Sequence, residues 1–129
     1  NTKSRKAIED QVDILKQEGR FADAHAVFME EAPELKEVYT LAQTKYAVVV
    51  PFFISDGLHS YEDIPVLLGE PERVVRQRFE AGEPTWRNPT ERDGKIVWYS
   101  ESIGNEPFVA DVILERVREA SEAVATPVA

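Results

Sequence analysis

The sequence predicts an α/β domain, a three-layer sandwich with a mainly parallel sheet. Two observations point there, and one feature departs from the pattern. Helix-like and strand-like patterns alternate along the chain, as they do where helices cover a sheet. The run Tyr46-Ala-Val-Val-Val-Pro-Phe-Phe-Ile54 is apolar on both alternating faces, the mark of a parallel strand buried from above and below. The chain also opens on a helix, whereas a right-handed crossover unit places a strand before such a helix, in the centre of the sheet. A first strand and its loop are therefore expected to be missing, whether lost, trimmed or supplied from elsewhere. With 129 residues there is chain enough for one core, so residues 1–129 are expected to form a single domain, a piece of a longer chain.

The elements follow in order. Ala7, Ile8, Val12 and Leu15 recur at helical spacing and Gly19 supplies a stop, so residues 4–18 should form an amphipathic helix with one buried stripe. Residues 24–29 read as a strand, with Ala24, Ala26 and Phe28 on one face and His25, Val27 and Met29 on the other. Pro33 sits where a first helical turn tolerates it, and Leu35, Val38, Tyr39 and Ala42 continue that helix. In the strand of residues 46–54, Pro51 lacks an N–H and should lie near the end of the ladder or at a bulge. Residues 55–60 form the loop that leaves it. A short helix over residues 61–68, interrupted or begun by Pro65, precedes a second over residues 71–81 with Val74, Val75 and Phe79 facing inward. Pro84, Asn88, Pro89 and Asp93-Gly94 mark residues 82–94 as a surface loop. Ile96, Val97, Trp98 and Tyr99 are strong strand formers and define a strand over residues 95–101. A turn at residues 103–107 leads to a last amphipathic helix over residues 108–123, and the tail from Thr126 should fray.

Composition removes several classes of function. There is no cysteine, which excludes disulfides, iron–sulfur clusters, thiolate zinc sites and a cysteine nucleophile, and fits a reducing, cytoplasmic compartment. The net charge of -9 repels phosphate backbones, so no nucleic-acid partner is expected. The longest apolar run is far too short to span a bilayer, and no basic segment followed by an apolar one opens the chain, so neither membrane span nor signal peptide is expected. Glycine-rich phosphate cradles and a Gly-x-Ser-x-Gly elbow are absent, and two histidines alone cannot build a polyhistidine zinc site.

In open α/β sheets, sites form beyond the carboxyl ends of the strands. Three segments fit that description: Glu30-Glu31, residues 55–60 and residues 100–105. His59 follows Gly57, which permits a tight turn, and lies directly beyond a buried strand. It reads either as a metal ligand or base, since imidazole changes charge near neutral pH, or as a loop histidine bonded to backbone; position alone favours the second modestly. Glu30 or Glu31 could bind a divalent cation or accept a proton. The pair equally suits a solvated position beside the N-terminus of the helix after Pro33, and that reading has the advantage. His25 reads as a half-buried structural or surface residue. Of the acids that flank His59, Asp56, Glu62 and Asp63, the last two suit the start of the following helix better than a metal. Trp86 could cover a flat ligand, though packing is the more ordinary use.

The run Val48-Val-Val-Pro-Phe-Phe-Ile-Ser-Asp-Gly-Leu-His-Ser-Tyr-Glu-Asp-Ile-Pro65 resembles the sirohydrochlorin chelatases, the small cobalt- and iron-inserting enzymes of cobalamin and sirohaem synthesis. An apolar strand, a Gly-Leu-His turn and Asp-Ile-Pro in that order are the family's hallmark. Ala26-Val-Phe-Met-Glu-Glu-Ala-Pro33 is similar to its Phe-Leu-Glu stretch, and residues 95–115, with Ile103-Gly104, to its last strand and helix. The opening Asn-Thr-Lys-Ser-Arg5 resembles the residues just after its Gly-His-Gly-Ser/Thr motif, whose histidine has no counterpart here. The resemblance implies that His59 is the second metal-site histidine and the catalytic base, with Glu30 as the carboxylate that shares the metal and Gly57, Leu58 and Ser60 against the substrate.

What the resemblance implies is a lyase that inserts a divalent metal, cobalt or iron, into sirohydrochlorin or a related tetrapyrrole. The metal enters as substrate and no organic cofactor is expected. The chemistry suits these residue types: two pyrrole N–H protons leave as the cation enters, and neutral imidazole can accept a proton while a carboxylate adds charge without locking the ion. An acidic chain is awkward for a substrate rich in carboxylates, and Arg73, Arg76 and Arg87 are the candidates to receive them. A homodimer or a second domain of the same chain is the partner implied. Two other readings stand beside this one: a non-catalytic chelatase-like module that holds a tetrapyrrole or metal within a larger protein, and an unrelated flavodoxin-like domain that binds neither.

Overall fold

The computed structural model describes residues 2–55, 57–104 and 106–124. It is a mixed helix–sheet protein. The elements are helix α1 (Thr2–Glu18), a 3-10 turn (Leu35–Glu37) running into α2 (Val38–Leu41), strand β1 (Tyr46–Val49), a π-helical turn (His59–Asp63), α3 (Ile64–Leu67), α4 (Glu72–Glu80), β2 (Thr90–Arg92), β3 (Lys95–Tyr99) and α5 (Pro107–Val124).

The sheet has three strands in the order β1-β3-β2. β1 and β3 run parallel, with Tyr46 opposite Ile96 and Val49 opposite Tyr99; β2 and β3 are antiparallel. The sheet is thus mixed. The parallel ladder continues past both ends of the strands, through Ile96 N–H to Lys45 O at 2.8 Å and Ser100 N–H to Val49 O at 3.0 Å. β2 lies within the segment expected to be a loop. Asp93 and Gly94, both with positive φ (49° and 77°), form the tight turn that folds residues 90–92 back onto β3. Such an Asp-Gly pair is a strong hairpin signal, and it outweighs the prolines before it.

Residues 24–29 do not form the expected strand. Among the described residues their only bridge joins Phe28 to Glu34, held by Phe28 N–H to Pro33 O at 2.8 Å and Leu35 N–H to Phe28 O at 3.0 Å. Period-two alternation makes a segment extended, but a ladder also needs an adjacent strand edge, and among the described residues this segment pairs with no strand of the sheet. The same bridge keeps Glu34 extended, so the following helix begins at Leu35 rather than at Pro33. The Glu34 N–H then donates to the Glu37 carboxylate, which satisfies a donor at the helix start.

The core is a cluster of Leu35, Val38, Ile64, Leu68, Trp86 and Val97, with Phe53 and Tyr99 packed against it. Trp86 is buried and donates its indole N–H to Val97 O at 3.2 Å, so it packs the interior rather than covering a ligand. Tyr39 donates to Leu68 O and ties α2 to the end of α3. Burial pushes its phenol above the ordinary value, while the Arg92 guanidinium pulls it down. Glu70, with a side chain 7% exposed, joins Arg78 at 3.4 Å and Arg92 at 3.2 Å, so its buried charge is compensated. Lys95 donates to Ala42 O and Thr44 O at 2.7 and 2.9 Å, where a cation meets the free carbonyls at the end of α2.

Two expected burials are not met among the described residues. One face of β1 and β3 is uncovered, with Tyr46 69%, Val48 67% and Trp98 49% exposed. The helix α1 has no fully buried residue; Ile8 and Val12 are half-buried, while Ala7 and Leu15 are exposed. An apolar stripe marks which face of an element can be buried, and the neighbour decides whether it is.

Truncation of the central side chain should separate these regions. Leu68→Ala is expected to lower unfolding stability by about 2–5 kcal/mol, as for a fully buried leucine. Phe108→Ala, at an exposed position of α5, should change it by less than about 0.5 kcal/mol. Denaturant titration of both variants checks the contrast.

Candidate metal and tetrapyrrole site

The parallel pair sends two segments out of the sheet at the same end. After β1 the chain continues through Pro51 and Phe53 to Leu58; after β3 it continues through Ser100 to Gly104. They stay in contact, with Gly104 N–H donating to Phe53 O at 3.2 Å. A Cβ at Gly104 would lie 1.2 Å from Ile54 O, so only glycine allows this approach. At Gly57, by contrast, a Cβ would meet nothing within 4 Å. The demand for a glycine therefore falls on the segment after β3.

Residues 59–63 form a π-helical turn, in which the Ile64 N–H reaches back to His59 O. Such turns are rare and concentrate at functional sites. Pro65 has no N–H to continue the pattern onto Ser60 O. That carbonyl instead accepts the Tyr99 hydroxyl from β3 at 2.8 Å. The turn is thus fastened to the sheet at the position where the backbone itself supplies no donor.

His59 opens the turn and Asp63 closes it. His59 Nδ1 lies 2.6 Å from Asp63 Oδ2, and the His59 ring stacks on Phe53 with centroids 6.1 Å apart. Phe53 packs on the core, so one face of an otherwise exposed imidazole is anchored. Asp63 lines a cleft of about 370 Å³ with Met29, Glu30, Glu62, Glu72 and Arg76. The two candidate glutamates are told apart here. Glu31 pairs with Arg5 of α1 at 3.1 Å, whereas Glu30 lines the cleft. Glu30 and the partner of His59 therefore share one hollow.

The remaining candidates are placed as follows. Gly57 and Leu58 are exposed, but Ser60 is only 3% exposed, and its hydroxyl makes no hydrogen bond among the described residues. A substrate contact through that hydroxyl would need the turn to open. His25 bonds Asp23 at 2.7 Å, and Asp23 also accepts the Gln43 N–H at 3.3 Å, a local structural link. Arg76 lines the cleft and pairs with Glu72 at 2.9 Å, Arg87 lies 3.9 Å from Glu83, and Arg73 is exposed on α4. Asp56 and Asn105 lie outside the described residues. Among the described residues no three acidic or histidine side chains converge on a point that could hold a metal ion.

Sequence position suits Asp63 to the start of the next helix better than to a metal. Its link to His59 had a signal available: histidine and aspartate four residues apart lie on one face of a helical turn. Tyr99 carried no such signal, because its partner is a backbone carbonyl made available by a proline 34 positions away.

The CbiX family model matches residues 1–120. The chain belongs to the sirohydrochlorin chelatase (CbiX) family. Over 124 residues it is 40% identical to a probable sirohydrochlorin cobaltochelatase of Halobacterium salinarum, covering 96% of this chain and 40% of that protein. A sirohydrochlorin cobaltochelatase of Methanopyrus kandleri is 30% identical over 125 residues, covering 91% of this chain and 87% of the relative. That of Methanothermobacter thermautotrophicus is 32% identical over 73 residues, covering 57% of this chain and 50% of the relative. The chain thus spans two fifths of the length of one of these relatives and most of the length of another. No helix among its described residues is long and apolar enough to cross a membrane.

The Tyr99 tie predicts a measurable effect in this member of the family. Tyr99→Phe leaves Ser60 O without its donor and should cost about 1 kcal/mol of stability. Amide hydrogen exchange should rise selectively in residues 59–65, relative to the core around Leu68. Unchanged exchange there would show that the turn does not depend on Tyr99.

Proposed function

We propose that this chain carries a metal-insertion site that places a divalent cation, cobalt or iron, into sirohydrochlorin or a related tetrapyrrole. The observation that carries the reading is the shared hollow: Glu30 and Asp63, the latter bonded to His59, line one cleft beside the turn that follows β1. The names of the relatives favour cobalt and sirohydrochlorin. Iron, and the place in sirohaem as well as cobalamin synthesis, follow from the resemblance alone.

In this reading the cation is substrate. His59 ligates it and accepts a pyrrole proton, and Glu30 is the second ligand. Each insertion exchanges two pyrrole N–H protons for one divalent cation, so two protons must reach bases or solvent. Neutral imidazole and carboxylate serve both needs, and a site with few protein ligands releases the ion readily. The exposed Gly57 and Leu58 offer an edge for the macrocycle, Ser60 lies buried behind them and would reach it only if the turn opened, and Arg76 is placed to meet a peripheral carboxylate. The three-layer, mainly parallel architecture and the single domain over residues 1–129 belong to the same proposal. So does a homodimer or a second domain, supported by the uncovered apolar face at Tyr46, Val48 and Trp98. A cytoplasmic setting is consistent with a chain that lacks cysteine.

Cobalt insertion into sirohydrochlorin, followed by absorption in the full-length protein, tests the assignment. His59→Ala is expected to slow insertion by about 100-fold or more, in the range set by loss of a proton-transferring group. Glu30→Gln should slow it by about tenfold, a weaker effect because one ligand remains. An unchanged rate in His59→Ala contradicts the assignment. A tetrapyrrole spectral shift that never yields the cobalt product supports the non-catalytic binding module instead.

A further inference from the structure

We infer that Asp63 is a positioning residue for His59: it holds the imidazole as the tautomer with its proton on Nδ1, which leaves the lone pair on Nε2. This deepens the metal-insertion reading and rests on it for the use made of Nε2, though the tautomer can be measured without it.

The argument begins with the bond itself. His59 Nδ1 is 2.6 Å from Asp63 Oδ2. An ionised carboxylate only accepts hydrogen bonds, so the imidazole nitrogen must be the donor. With one ring proton in the neutral form, Nε2 is then unprotonated. A neutral imidazole free in water prefers the opposite arrangement, with the proton on Nε2 and the lone pair on Nδ1. Asp63 thus reverses the ring's own preference.

The placement is built into the backbone. His59 and Asp63 are the first and last residues of the π-helical turn, which is closed by the Ile64 N–H on His59 O and fastened at Ser60 O by Tyr99. Ile64 and Pro65, directly after Asp63, are buried, which fixes where the carboxylate emerges. The Phe53 ring is stacked beside the imidazole, with centroids 6.1 Å apart. A carboxylate behind one nitrogen and an aromatic face beside the ring leave the second nitrogen as a preset ligand position. Ligating histidines are commonly oriented by a carboxylate on the far nitrogen, which also raises their basicity. A histidine preset in this way can take a cation without first exchanging its ring proton.

Nitrogen-15 correlation spectra of the neutral His59 imidazole in the full-length protein read the tautomer directly. The wild-type ring should carry its proton on Nδ1. In Asp63→Ala the proton should move to Nε2, and in Asp63→Asn, which keeps a carbonyl acceptor, it should stay on Nδ1. Titration with Co²⁺ alone should show affinity about 10–100-fold weaker in Asp63→Ala. A wild-type ring protonated on Nε2, or a tautomer that does not change in Asp63→Ala, overturns the inference. If Asp63→Ala moves the proton while His59→Ala leaves Co²⁺ affinity and insertion untouched, the positioning role stands and the metal role of His59 falls.

Discussion

The parallel pairing of β1 with β3 is the constraint on which the rest of this molecule depends. It buries Val97 completely at the centre of the core and brings the carboxyl ends of both strands to one edge. The His59 half of the candidate site is hung from that edge, while Glu30 reaches the cleft from the segment before α2. The segment after β1 carries Phe53 and leads to His59, and the segment after β3 carries Gly104, whose lack of a side chain lets the two backbones touch. β3 itself donates the Tyr99 hydroxyl that closes the π-helical turn. Without the pair, the imidazole, its carboxylate and its aromatic neighbour would have no common frame. Outer elements can be less firmly held without disturbing this arrangement. β2 sits on the far side of β3, and the Asn88 amide holds the polar groups of Tyr99 in the manner of a further strand, at 2.6 and 2.7 Å.

Local signals in the sequence located elements well and their environments poorly. The five-residue strand at Lys95–Tyr99 and the helix at Glu72–Glu80 lie where β-branched residues and helical spacing place them. The apolar run after Lys45 shows the opposite case. Its composition fits a strand covered on two faces, yet only Tyr46–Val49 is laddered and one face is open to solvent. Composition records what a strand can tolerate; coverage is a property of its neighbours. Residues 24–29 fail for the same reason, since alternation cannot supply a partner strand. Asp93-Gly94 is a loop signal and a hairpin turn alike, and only the pairing of residues 90–92 with β3 tells the two apart.

The site was legible in part. His59 draws attention because a glycine-containing turn follows an apolar strand, although position alone favours a structural role, and Glu30 is singled out only by the family resemblance. What spacing could not show was which of two adjacent glutamates is free. Arg5, 26 positions away, takes Glu31 into an ion pair and leaves Glu30 at the cleft. Nor could it show that Ser60, between an exposed histidine and an exposed tyrosine, turns inward. Both facts depend on tertiary contacts that no local pattern encodes. The family's Asp-Ile-Pro motif gains a physical division of labour: the aspartate faces the histidine, the isoleucine fills the core, and the proline withholds the donor that Tyr99 replaces.

If the proposed site is real, His59 and Glu30 act on one and the same cation. A double-mutant cycle on Co²⁺ affinity, with His59→Ala, Glu30→Gln and the pair, tests it most directly. Two ligands of a single ion should be non-additive, with a coupling energy of about 0.5–3 kcal/mol. Losses that simply add within experimental error would mean that the imidazole and the carboxylate serve separate places, and the shared-site account would be wrong.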